Sequence, residues 1–175
     1  MTEPFNEYHQ WEQHLTEVTL PKWDELPKFD LYMDQVVAYV NDTLGPLGVD
    51  TVTPAMINNY VKHNIILAPV KKKYQVMQVA DILLIGILKP SYSMDTIRQG
   101  MDQVTVSLFP KRAYDTFIGL VLAGLRNEPA TKSATTELSD QMMKETVATV
   151  LAKMRSEKLL SLAQTVVKPK PVEQK

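Results

Sequence analysis

The sequence predicts an all-α protein: a helix-turn-helix core of three helices, a short wing-like ribbon, and extra C-terminal helices. Three observations lead there. Apolar residues recur at helical spacing along most of the 175-residue chain. Prolines and cap-forming residues fall between those apolar segments. The one strand signal is the stretch IILAPVKKKY, residues 65–74.

The elements follow in order. Tyr8, Trp11, Leu15 and Val18 step by three and four and make one apolar face, and Pro21 is expected to end that helix. The stretch TLPKWDELPKF carries two prolines and the exposed-looking aromatics Trp23 and Phe29; its Trp, Leu and Phe mark an ordered extended linker. Asp30 is the expected N-cap of a helix whose face is Met33, Val36, Val37, Val40 and Leu44. Gly45 is its expected stop, with Pro46 preventing continuation. Thr53 and Pro54 form a strong helix start, because Thr caps and Pro has no N–H to leave unpaired at the first position. Met56, Ile57, Tyr60 and Val61 turn inward there, and Asn58, Asn59, Lys62 and His63 turn outward. Asn64 is a natural left-handed terminator.

After the ribbon with Lys71, Lys72 and Lys73, residues 76–88 form a helix apolar nearly all round, hence buried. Ser93 caps a short helix running to about Val104. Pro110 opens another, with Tyr114, Phe117, Ile118, Val121 and Leu125 on one face. A polar loop follows Asn127, and a last helix spans about 138–162. Its Met143, Val147, Val150 and Met154 step like a coiled-coil seam, though an ordinary core stripe is the commoner use of such spacing. The Pro- and Lys-rich tail is expected to be disordered. The expected divisions are 1–29 (helix and linker), 30–105 (helix-turn-helix module), 106–165 (C-terminal helices) and 166–175 (tail).

Composition bounds the function. Apolar residues make up 45% and charged residues 22%, as in a folded globular protein. Nineteen Lys+Arg against 20 Asp+Glu give −1, which excludes a uniformly basic nucleic-acid coat. The charge is unevenly placed: residues 1–50 carry ten acids and two bases, whereas residues 51–128 carry nine bases and five acids. There is no cysteine, so disulfides, thiolate metal sites and a cysteine nucleophile are excluded. The acidic N-terminus has no signal-peptide core, and the longest apolar run, 79–88, is about half of a membrane span and contains Asp81. A soluble cytoplasmic protein is expected. No GxGxxG or Walker loop occurs, and His9, His14 and His63 form no HExxH pair. No catalytic, cofactor or metal site is assigned, and an enzyme is not expected.

One segment has a recognisable design: TPAMINNYVKHNIILAPVKKKYQVMQVADILLIGILKPSYSMDTI, residues 53–97. Its order of helix, Lys-rich ribbon, buried helix and capped helix resembles the DNA-binding module of MerR-type regulators. The matching residues are Ile57, Tyr60, Ile65, Pro69, Lys71, Lys72, Lys73, Tyr74, Val79, Ile82, Met94 and Ile97. Asn64-Ile65 stands where that family has Gly-Leu, and lysines stand for its wing arginines. The longer stretch LPKWDELPKFDLYMDQVVAYVN, with TPAMINNYVK and PVKKKY, resembles an uncharacterised bacterial family, domain of unknown function family eighteen-thirty-six. Its members have been read as remote helix-turn-helix proteins of the MerR kind. This second resemblance implies a fold but no established activity; the MerR-type resemblance also implies a two-fold dimer.

DNA readers need cations for phosphates and short amides for base edges. Lys71, Lys72 and Lys73 fit the first need and Asn58 and Asn59 the second, with Lys62 and His63 on the same helical face. The helix start at Thr53 offers amides to a phosphate. The expected function is a DNA-binding transcription regulator, with DNA as partner, a homodimer through the C-terminal helices, and no cofactor. The alternative is a non-enzymatic protein-interaction module anchored by Trp23 and Phe29. A further one is a small-molecule sensor with a pocket among the C-terminal apolar helices. Asp24, Glu25, Asp30 and Asp34 are most simply caps and solvated positions; a minor idea has this acidic front lying against the basic face.

Overall fold

The computed structural model describes residues 3–129 and 137–166. Among them are seven α-helices: α1 (Glu3–Thr16), α2 (Met33–Leu44), α3 (Pro54–Lys62), α4 (Val76–Leu88), α5 (Met94–Ser107), α6 (Pro110–Leu125) and α7 (Glu137–Val166). Two single 3-10 turns, Trp23–Glu25 and Gly45–Leu47, lie between them. Extended pairing among the described residues is confined to two antiparallel bridges, Leu31 with Tyr74 and Val70 with Lys73. The fold is all-α, as the periodicity predicts. The polar run 130–136 and the tail from 167 onward lie outside the described residues.

Helix α4 occupies the centre. Val79, Ala80, Ile82, Leu83, Ile85, Gly86, Ile87 and Leu88 are all buried, as an all-round apolar helix requires. It packs on α2, α5 and α6. Gly86 lets α2 come close: a Cβ there would overlap the Leu44 side chain. Burying Ile82 or Ile85 fully is worth about 2 kcal/mol each. The second layer is α1, α6 and α7, where Leu151 fills the space above Gly124.

Several boundaries differ from expectation. The first helix ends at Thr16, before Pro21 is reached. Glu17 and Val18 donate to His14 O and Leu15 O (3.1 and 3.2 Å), which tightens the last turn and lets the chain extend with Val18 and Leu20 in the core. Asp30 is not the cap of α2. The bridge between Leu31 and Tyr74 (2.9 and 2.8 Å) holds the chain extended through residue 31, so Tyr32 becomes the N-cap and Gln35 Oε1 accepts from its N–H at 2.9 Å. Gly45 keeps a right-handed φ of −51° and continues into the 3-10 turn, and the left-handed stop is Gly48, at φ 72°. Helix α5 runs three residues past Val104.

The linker is ordered, but it is a docked turn rather than an extended strap. Trp23 packs edge-on against Tyr114 (5.9 Å between centroids), and its backbone N–H donates to Asp115 Oδ1 at 2.7 Å. Lys22 Nζ donates to Asp115 O (2.7 Å), and the Tyr114 hydroxyl donates to Pro21 O (2.9 Å). Of the two aromatics expected to be exposed, only Phe29 is, at 85%. Of Asp24, Glu25, Asp30 and Asp34 only Asp24 forms an ion pair among the described residues, with Lys111 of α6 (2.7 Å). Two acids of α1 reach α7 instead: Glu7 pairs with Lys158 (3.2 Å) and Glu12 with Arg155 (3.6 Å). Met143, Val147 and Val150 of the seam are buried inside the chain.

Candidate nucleic-acid interface

Helix α3 starts as its sequence dictates. The Thr53 hydroxyl accepts from the Met56 N–H at 3.3 Å and Pro54 takes the first position. Ile57 and Tyr60 are buried, while Asn58, Asn59, Lys62 and His63 are exposed at helical spacing on one side. At the other end His63 is the C-cap, Asn64 adopts φ 56°, and Ile65 N–H returns to Tyr60 O at 2.8 Å. That is the left-handed closure expected of Asn there.

Thr53 contributes less to an anion site than its position suggests. Pro54 has no N–H, Met56 N–H is held by Thr53 Oγ1, and Ile57 N–H by Thr53 O (3.2 Å). Only the Ala55 amide remains in the first turn. Thr53 and His63 cap opposite ends of a nine-residue helix, about 13–15 Å apart, so they do not share one contact point.

The ribbon is a two-residue hairpin. Val70 and Lys73 exchange both backbone hydrogen bonds, at 3.0 and 2.9 Å. Lys71 and Lys72, at its tip, both have positive φ, 49° and 64°. Two consecutive positive φ values define the type I′ turn, whose usual residues are Asn-Gly. A side chain in that conformation is strained by about 1–2 kcal/mol relative to glycine. Both tip lysines are exposed. Lys73 is half-buried, with its ammonium 5.3 Å from the centre of the Tyr32 ring, a cation–π contact.

Residues outside the sequence-based set hold this hairpin in place. Gln78 is buried, and its Nε2 donates to Ala68 O (2.8 Å) and Leu67 O (3.2 Å) while its Oε1 accepts from Gln75 N–H (2.6 Å). Arg98 donates to Ile65 O at 2.9 Å and pairs with Asp102. Asn41 clamps the connection into α3, exchanging hydrogen bonds with the Val52 backbone at 2.9 and 2.7 Å. None has a sequence signature: each is one polar residue whose carbonyl partner is chosen by the tertiary fold. Tyr60 and Tyr74 are buried packing residues.

Electrostatically the surface is open. None of Lys62, Lys71, Lys72 and Lys73 forms an ion pair among the described residues, whereas Lys111, Lys144, Lys153 and Lys158 each do. Among the described residues no group of three or more His, Cys, Asp or Glu is placed to hold a metal ion. No helix there is long and apolar enough to cross a membrane.

No curated protein and no solved structure shows significant similarity to the chain. A family model does match, over residues 21–117. The matched stretch opens at the docked turn of Pro21 and Trp23, takes in α2, α3, the lysine hairpin, α4 and α5, and ends inside α6 at Phe117; α1 and α7 fall outside it. It covers more than half of the chain, which therefore belongs to the family described as Domain of unknown function (DUF1836).

Proposed function

We propose that the chain is a DNA-binding protein of the transcription-regulator kind, working in the cytoplasm. Helix α3 presents Asn58 and Asn59 to base edges, with Lys62 and His63 beside them, and the hairpin carries Lys71 and Lys72 to phosphates. The observation that carries this reading is the hairpin tip. Two lysines stand in left-handed positions where Asn-Gly would fold more easily, and both ammonium groups remain without an acidic partner among the described residues. Strain kept at an exposed cationic tip is accounted for by a role for those side chains. The MerR-like character of the module belongs to the same proposal.

Retention on pooled genomic DNA tests it. With three or four cations engaged, log affinity should fall against log salt with a slope of about −3 to −4. Replacing Lys71, Lys72 and Lys73 by Glu should abolish retention while leaving the circular dichroism unchanged. If the wild type has no affinity at low salt, the reading fails.

A protein-interaction module is the second reading, and exposed Phe29 favours it. Trp23, the other anchor expected for it, is engaged with Tyr114. Such a contact would hardly respond to salt. A dimer through α7 would have to use surfaces other than the Met143–Val150 stripe, which the chain buries itself. Cutting the chain at Asn127 would bare that core, so sedimentation of the full chain is the cleaner measurement.

A further inference from the structure

A cavity of about 270 Å³ opens between α4, α5, α6 and the start of α7. That is at the lower edge of small-molecule sites, which run from about 300 to 1,000 Å³. Its wall is mainly apolar: Leu84 and Leu88 from α4, Met101 from α5, Phe117 from α6 and Met142 from α7, with Trp23 reaching in from the docked turn. Thr96, Thr105 and Thr146 add hydroxyls to that wall, and the one ionisable acid among its described residues is Asp81. It lies three residues before Leu84 and seven before Leu88, which places it on the same stripe of α4 facing the same space.

The Asp81 carboxyl meets no hydrogen-bond donor among the described residues. The charges around it do not balance. Arg98, on α5, is the one cation whose field reaches it, and that guanidinium already donates to Ile65 O and pairs with Asp102. Asp102, also on α5, adds to the negative side. Two carboxylates against one guanidinium leave a single negative charge beside an apolar cavity. On α6 the Tyr114 hydroxyl is turned away to Pro21 O, and on α7 Lys144 pairs with Asp140.

We propose that this cavity binds a small apolar molecule carrying one ammonium group, with the apolar body against Leu84, Met101 and Phe117 and the ammonium paired to Asp81. A half-buried carboxylate with no partner is disfavoured against an apolar wall, and a ligand cation supplies the missing charge. Burial holds the Asp81 carboxyl at about 6, so it is ionised at neutral pH but strained. The proposal is independent of whether the lysine hairpin meets DNA.

Benzylamine is the probe, with benzyl alcohol as its neutral counterpart of the same shape. Titrations of the full chain at pH 8, followed by calorimetry and by amide NMR shifts, should show saturable binding of the amine at least tenfold tighter than of the alcohol. Asp81→Asn, an isosteric change, should erase that preference and leave the alcohol affinity within about twofold. Gly100→Leu supplies an independent arm. Gly100 lines the cavity between Ile97 and Val104, and a Cβ there meets open space. The variant should fold, judged by circular dichroism, and lose both probes. The proposal is overturned if benzylamine does not bind saturably, if amine and alcohol bind alike, or if the preference survives Asp81→Asn. Amide shifts confined to exposed Glu or Asp residues would overturn it too, because they would mark a non-specific cation contact.

Discussion

The lysine hairpin and the α4 cavity handle charge in opposite ways. At the hairpin, Lys71 and Lys72 stand in water without partners among the described residues, where an uncompensated charge is cheap and the strain lies in the backbone. In the cavity, Asp81 is ionised at neutral pH against an apolar wall, where the backbone is ordinary helix and the strain lies in desolvation. Solvated charges attract any polyanion, weakly per contact and with steep salt dependence. A desolvated charge discriminates among small ligands and responds to pH rather than salt. Both regions hang on one element: Gln78, near the start of α4, holds the hairpin loop, and Asp81, one turn on, faces the cavity.

The largest expected effect breaks the hairpin side alone. Lys71→Glu, Lys72→Glu and Lys73→Glu together should weaken DNA retention about 100-fold or more at physiological salt. Stability should move by less than about 0.5 kcal/mol, because the side chains are mostly solvated. A filter-binding titration with a parallel thermal melt separates the two, and a large drop in melting temperature would disqualify the comparison.

Gln78→Ala should act next, and through the fold. It leaves the Leu67 and Ala68 carbonyls and the Gln75 amide without their partner, so about 2 kcal/mol of stability should be lost. Amide exchange should quicken at residues 67–74 before it quickens in α4. Uniform acceleration across both would show that Gln78 supports the core rather than the loop.

These predictions lean on residues of very different legibility. Helix α4 was readable at both ends and α6 at its start, because an all-round apolar run and a proline start leave few alternatives. Thr53, Pro54 and Asn64 were readable because capping is local chemistry. Asp30 misled because the pairing of Leu31 with Tyr74, 43 residues away, delays the helix. Gly45 misled because proline at the following position tolerates a 3-10 turn, which moved the left-handed step to Gly48. Apart from half-buried Lys73, the candidate site was legible as a set of exposed residues, but not in the backbone of its tip. Nothing in KKK signals two positive φ values; the pairing of Val70 with Lys73 imposes them. The cavity was less legible still. Asp81 read as an interruption of an apolar run, and its surroundings come from residues as distant as Trp23 and Met142.

On the cavity side, Asp81→Asn should stabilise the protein at pH 8 by about 1–2 kcal/mol, discounted for the solvent that reaches the site. The folded carboxyl sits near 6, above its ordinary value of 3.8, because burial outweighs Arg98. The folded state therefore binds this proton more tightly than the unfolded chain does. Its contribution to stability is complete below about pH 4 and is lost as pH rises through 6. The advantage of Asp81→Asn should accordingly shrink as pH falls from 8 to 5. A melting-temperature difference that stays constant over that range would place the Asp81 charge in solvent.

The smallest effect is the most diagnostic, because it sets stability against binding within one turn. Lys71→Asn with Lys72→Gly installs the residues a type I′ turn prefers. Relief of left-handed strain should raise stability by about 1 kcal/mol, part of the gain being offset by the added freedom of glycine in the unfolded chain. The same change removes two phosphate contacts and should weaken DNA retention about tenfold, with the salt slope shallower by about two. Opposite signs in the two measurements would mean that the lysines are retained against folding preference for what they bind. A stability gain with unchanged retention would leave Lys62 and Lys73 as the only cations available to the proposed interface, too few to sustain the predicted slope.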